Sequence, residues 1–113
     1  MNKAKIYIFI IILVVLAVVA IKFLPLTNAM TYIDVRTDEE WNAGRIKGAV
    51  HFSLDRLESG ELPDIAKDEN IRVYCKSGNR AETAKAILEQ AGFTSVENAG
   101  GFEDLKVKGI ETE

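Results

Sequence analysis

IRVYCKSGNRAETAKAILEQAG, residues 71–92, joins the clearest strand of the chain to its clearest helix through a short polar loop. IRVYC (71–75) is a short apolar run rich in β-branched and aromatic residues, which reads as a strand. In RAETAKAILEQAG (80–92), Ala81, Ala84, Leu88 and Ala91 recur at helical spacing, and Gly92 supplies the stop. A strand that passes directly into a helix is the repeating unit of an α/β domain.

The flanking sequence continues the alternation. TYIDV (31–35) reads as a strand. Thr37 then stands as an N-cap with Glu40 three residues on, a capping box that predicts a short helix ending near Gly44. GRIKGAVHFSL (44–54) reads as a loop with an extended piece around Ala49–Phe52, and LDRLESGEL (54–62) as a helical turn stopped by Gly60 and Pro63. TSVEN (94–98) predicts another strand, and AGGFEDL (99–105) a glycine turn leading into a short helical piece. Trp41 is expected in the core. The expected fold is a small α/β domain, its mainly parallel sheet flanked by helices.

The loop CKSGNR (75–80) carries the chemistry. In a parallel sheet, ligands bind at the carboxyl ends of the strands, and Cys75 ends one. A lone cysteine closing a strand is, taken by itself, more often a small buried apolar residue. Here it is followed by Lys76, Ser77, Gly78, Asn79 and Arg80 at a strand-to-helix junction, where the backbone can curl so that successive N–H groups point at one spot. The positive end of the helix adds to that spot. A thiolate there would be stabilised by the N–H donors, the helix end and the cations Lys76 and Arg80, giving a nucleophile at neutral pH without a nearby base. Arg80, with a planar fork of donors, suits the oxyanion end of a substrate.

Residues 6–21, IYIFIIILVVLAVVAI, contain no charge, glycine or proline, and are preceded by Lys3 and Lys5 and followed by Lys22. This is the pattern of an export signal, and its lysines predict that the sequence after residue 30 lies outside the cytoplasm. Sixteen residues are short of the roughly 20 that a span needs, but FLPL extends the apolar length to Leu26. Thr27 and Ala29 in TNAM offer a cleavage point. Residues 1–29 are therefore expected to be a cleaved signal peptide or a retained anchor, holding the domain at the membrane through residues 6–26 in the second case, and residues 30–113 to be the domain. Without Lys3, Lys5 and Lys22, 11 basic residues face 17 acidic ones, a net charge of −6 that argues against nucleic-acid binding. With one cysteine there is no internal disulfide, and Cys75 with His51 alone does not make a metal site.

YIDVRTDEEW, GRIKGAVHFSL, VYCKSGNRA and VENAGGFEDL together resemble, in order and spacing, the four signature stretches of single-domain rhodaneses, from about residue 31 to 105. With the N-terminal segment, the chain is similar to the small exported, periplasmic members. The resemblance implies a rhodanese-like fold and a thiosulfate sulfurtransferase. Cys75 would take the outer sulfur of a small sulfur anion as a persulfide and pass it to cyanide, a thiol or a protein acceptor, with residues 76–80 as the cradle and neither metal nor cofactor involved. Arg80 stands five residues after Cys75, where the similar loop of cysteine phosphatases has its arginine at six. Asp34 and Arg36 match a structural DVR stretch. Arg45, His51 and Ser53 depart from the family pattern in a connecting segment, where His51 is expected to be packed or hydrogen-bonded. Lys76 and Asn79 are the positions expected to tune substrate preference. The alternative is a membrane-associated persulfide carrier with low turnover on small molecules.

Overall fold

The computed structural model describes residues 2–23 and 29–113. Helix α1 (Lys3–Phe23) is apolar on every face and buries none of its residues against the rest of the chain. It is long and apolar enough to cross a membrane. The expected extension to Leu26, and Thr27 of the expected cleavage point, lie outside the described residues.

The domain follows in strict alternation: β1 (Met30–Asp34), α2 (Asp38–Ala43), β2 (Val50–His51), α3 (Leu54–Glu58), β3 (Asn70–Cys75), α4 (Asn79–Gln90), β4 (Val96–Gly101) and α5 (Phe102–Val107). All strand pairings are parallel, in the order β2-β1-β3-β4. The chain is an α/β domain with a parallel sheet flanked by helices, as its sequence predicts.

β3 lies between two neighbours, which explains its apolar run: a strand inside a parallel sheet is covered on both faces. Its alternate side chains divide the core. Ile71, Val73 and Cys75 pack with Ile33, Val35, Ala81, Ala84 and Leu88 on the face covered by α3 and α4. Tyr74 packs with Ile46 and Leu105 on the other face, beside α5. Each fully buried aliphatic side chain contributes roughly 1.5–3 kcal/mol. Ala81 and Ala84 have no exposed surface, and their small size brings α4 close to the sheet.

The local signals hold in detail. Thr37 caps α2 in a complete capping box with Glu40, and Gly44 ends the helix. At the end of α4, the Phe93 N–H donates to the Leu88 carbonyl and the Gly92 N–H to that of Glu89, with Gly92 at φ +101. This is the paired-bond stop that only glycine adopts without strain.

Two expectations change. The last strand begins at Val96 and runs through Ala99–Gly101, the stretch expected to be a turn. A bulge makes this possible: Val73 pairs with Asn98 but Tyr74 pairs with Gly100, leaving Ala99 as the extra residue. Trp41 is half-buried at the surface, stacked on the His51 ring at 4.8 Å and under the Arg45 guanidinium at 4.6 Å. The six-residue α2 exposes that side and leaves the core to the strands.

Candidate active site

Cys75 is the last residue of β3, and its side chain has no exposed surface. The chain leaves the strand through Lys76 and Ser77, both exposed, and turns at Gly78. Gly78 has φ +99 and is the N-cap of α4, with no side chain capping the helix. Its own N–H donates to Cys75 Sγ at 2.9 Å. The first N–H groups of a helix have no partners within it. In α4 those of Asn79, Arg80 and Ala81 stand at the sulfur's end of the helix, where the macrodipole is positive.

Strand β4 holds this loop from the side. Asn98 Nδ2 donates to the Gly78 carbonyl at 3.0 Å and to Glu82 Oε2 at 2.9 Å, while its Oδ1 accepts the Gly100 N–H at 2.9 Å. Gly101, opposite Cys75 in the sheet, is where the loop passes closest: a Cβ there would overlap the Lys76 carbonyl oxygen. The GG pair is thus explained by a strand that must bulge and then admit a neighbouring backbone.

Arg80 stands in the first turn of α4, half-buried, with its fork on a carboxylate. Nη1 and Nη2 donate to the two oxygens of Glu40 at 2.7 and 3.0 Å. Hydrogen bonds from Arg80 hold the Glu40 carboxyl down at about 2, with the bond to Thr37 helping and burial opposing. The bonds to Glu40 raise the Arg80 guanidinium against the effect of burial, and charge at Cys75 and Asp34 adds a little.

A sequence profile of the Rhodanese-like domain matches residues 24–108. The chain belongs to the rhodanese-like family. It is 37% identical over 100 residues to the thiosulfate sulfurtransferase PspE of Escherichia coli, covering 83% of this chain and 94% of that protein. The thiosulfate sulfurtransferase 16 of Arabidopsis thaliana chloroplasts is 36% identical over 93 residues, 72% of this chain and 78% of that one. Among solved structures, the Rhodanese_3-like domain of the Anabaena Alr3790 protein superposes with a TM-score of 0.69 at 31% identity, covering 75% of this chain and 99% of that domain. A rhodanese with anions from E. coli superposes at 0.62 with 34% identity, covering 75% and 98%. This chain is therefore an enzyme of the rhodanese-like sulfurtransferase family.

The six residues expected at the rhodanese site, Cys75 to Arg80, run from the end of β3 through the loop into the first turn of α4, and they face different partners. Beside Lys76, between α2 and α5, lies a cleft of about 280 Å³ whose charged lining is Arg36, Glu40, Lys76 and Glu103. Arg36 is committed to Asp34, and Glu40 to Arg80. Lys76 is exposed and has no ion-pair partner among the described residues. Below the cleft, Arg36 Nε and Nη2 bond the Asp34 carboxylate at 2.7–3.0 Å, and Nη2 also reaches the Gly44 carbonyl at 2.6 Å. The guanidinium lies 4.5 Å over the Phe102 ring. His51 Nε2 donates to the Arg36 carbonyl at 2.9 Å, so the ring ties its connecting segment to the chain after β1.

Sequence reading found Glu40 only as a helix cap, and missed Asn98 and Gly101 as supports of the loop. Glu40 has a local signal, the spacing to Thr37. Its bond to Arg80 spans 40 residues, and no spacing rule points there.

Proposed function

We propose that this chain is a thiosulfate-type sulfurtransferase working through a persulfide on Cys75. The observation that carries the reading is the Gly78 N–H bonded to Cys75 Sγ at 2.9 Å at the uncapped start of α4, a cradle for negative charge on sulfur. The Cys75 thiolate attacks the outer sulfur of thiosulfate. The sulfur–sulfur bond to the SO₃ group breaks, and sulfite leaves with the electron pair. The acceptor, cyanide or a thiolate, then attacks the outer persulfide sulfur. Thiocyanate or a new persulfide forms, and Cys75 returns as thiolate.

Each residue of the loop has a part. The backbone from Ser77 to Arg80, with Gly78 turning it, surrounds the transferred sulfur with N–H donors, and Lys76 meets the oxyanion of the donor. Asn79, exposed beside it, borders the acceptor. Arg80 adds its positive charge to the cradle around the sulfur while its fork remains on Glu40. No cofactor or metal takes part, and no nucleic acid is bound. Residues 1–29 direct the chain out of the cytoplasm, as a cleaved signal or as an anchor, so the reaction takes place in the periplasm or on the outer face of the membrane. The apolar helix α1 supports that location.

The full chain in detergent should form thiocyanate from thiosulfate and cyanide, and Cys75→Ser should abolish the reaction. Undiminished turnover in that variant would end the proposal. A stable gain of one sulfur in the intact mass, without turnover, would instead identify a persulfide carrier that serves a protein partner.

A further inference from the structure

Glu40 sits where three elements meet. Its backbone N–H and carboxylate complete the capping box of α2: the N–H donates to Thr37 Oγ1 at 3.3 Å, and Oε1 accepts the Thr37 N–H at 3.3 Å. The same carboxylate accepts both arms of Arg80, 40 residues away in the first turn of α4. It also lines the cleft beside Lys76. A cap alone does not need the second function, because glutamine serves as well as glutamate at that position. Nor does a donor-gripping arginine need its fork filled by a protein carboxylate.

We infer that Glu40 is a positioning residue for the Cys75 loop, acting through Arg80: the pair is a strut between α2 and the helical end of the loop. The strut complements the Asn98 bonds, which hold Gly78 from the opposite side. The loop is thereby fixed at its turn by β4 and at its exit by α2, while Lys76 and Ser77 stay exposed to the donor. In this arrangement Arg80 shapes the cradle, and Lys76 is the cation that meets the incoming anion. The inference rests on the sulfur-transfer reading for its kinetic test and on loop geometry alone for its physical one.

The test is a double-mutant cycle in the full chain. Glu40→Gln keeps the capping acceptor and removes the charge. It should lower kcat for thiosulfate by roughly ten- to a hundredfold, the loss expected when a reacting group is held slightly out of place. Arg80→Met should do the same with little change in KM, and the double variant should be no worse than either single one. Amide hydrogen exchange over residues 76–81 should quicken in both single variants and change much less in Thr37→Ala, which removes the cap and one hydroxyl bond to the Glu40 carboxylate but leaves both bonds from Arg80. Glu40→Asp, with its carboxylate one carbon short, supplies the same comparison should Glu40→Gln not fold.

Three results overturn the inference: a large rise in KM with Arg80→Met, which would make Arg80 the donor's own ligand; equal effects of Glu40→Gln with and without Arg80; or Thr37→Ala reproducing Glu40→Gln. If no variant, wild type included, transfers sulfur while the exchange pattern holds, the strut stands and the proposed reaction falls.

Discussion

Asp34–Arg36 and Glu40–Arg80 pair the same chemical groups at different depths. The Asp34 and Arg36 side chains are 0% and 6% exposed, against 27% and 33% for Glu40 and Arg80. The first pair joins residues two apart and anchors the chain after β1 to the Gly44 carbonyl. The second joins residues 40 apart and ties the loop that follows Cys75 to α2. A buried pair is costly to break because it strands a charge without water, whereas a half-exposed pair is screened and adds little to stability. The difference separates a pair that holds the fold from one that holds the site.

The comparison breaks most directly at its buried member. Asp34→Ala leaves Arg36 charged among Tyr74 and Phe102, and should cost about 3–5 kcal/mol in chemical denaturation. A cost near that of a surface pair would show that the two are alike after all.

A second substitution separates loop from fold. In Gly101→Ala the new methyl meets the Lys76 carbonyl, which is backbone and has no rotamer to escape through. The loop should be pushed off β4 at a cost of roughly 1–3 kcal/mol, with sulfur transfer lost in a domain that still melts cooperatively. Retained activity would mean that the close passage of the loop is not needed.

The smallest effect concerns pH. The Glu40 carboxyl is lowered from its ordinary 4.5 to about 2, so the folded state holds its proton less tightly than the unfolded state. Its contribution is present above the unfolded value and is lost as pH falls from about 4.5 through 2. The stability gap between wild type and Glu40→Gln should therefore shrink over that window, from about 1 kcal/mol or less given its exposure. A gap independent of pH would show that the charge adds nothing beyond the cap.

Much of this was legible in the residue order. The capping box of Thr37 and Glu40, the glycine stop of α4 and the placing of Cys75 between strand and helix are all local. Each follows from spacings of a few residues, within reach of hydrogen bonds along one element. The β4 boundary was not legible, because a glycine pair read locally signals a turn. Only the sheet shows that Ala99 bulges and that Gly101 gives room to another strand's loop. Trp41 was misplaced for a related reason: a large ring predicts burial, but here two neighbouring side chains sandwich it at the surface.

The sequence by itself determined the alternation of strand and helix, the family, and the strand-to-helix loop that starts from one thiol. These rest on backbone preferences and short spacings, which need no knowledge of distant neighbours. The tertiary structure decided which cation is spoken for. Lys76 and Arg80 are alike as charges in the sequence, and only the packing of α2 beside α4 brings Glu40 to the second and leaves the first open to the solvent.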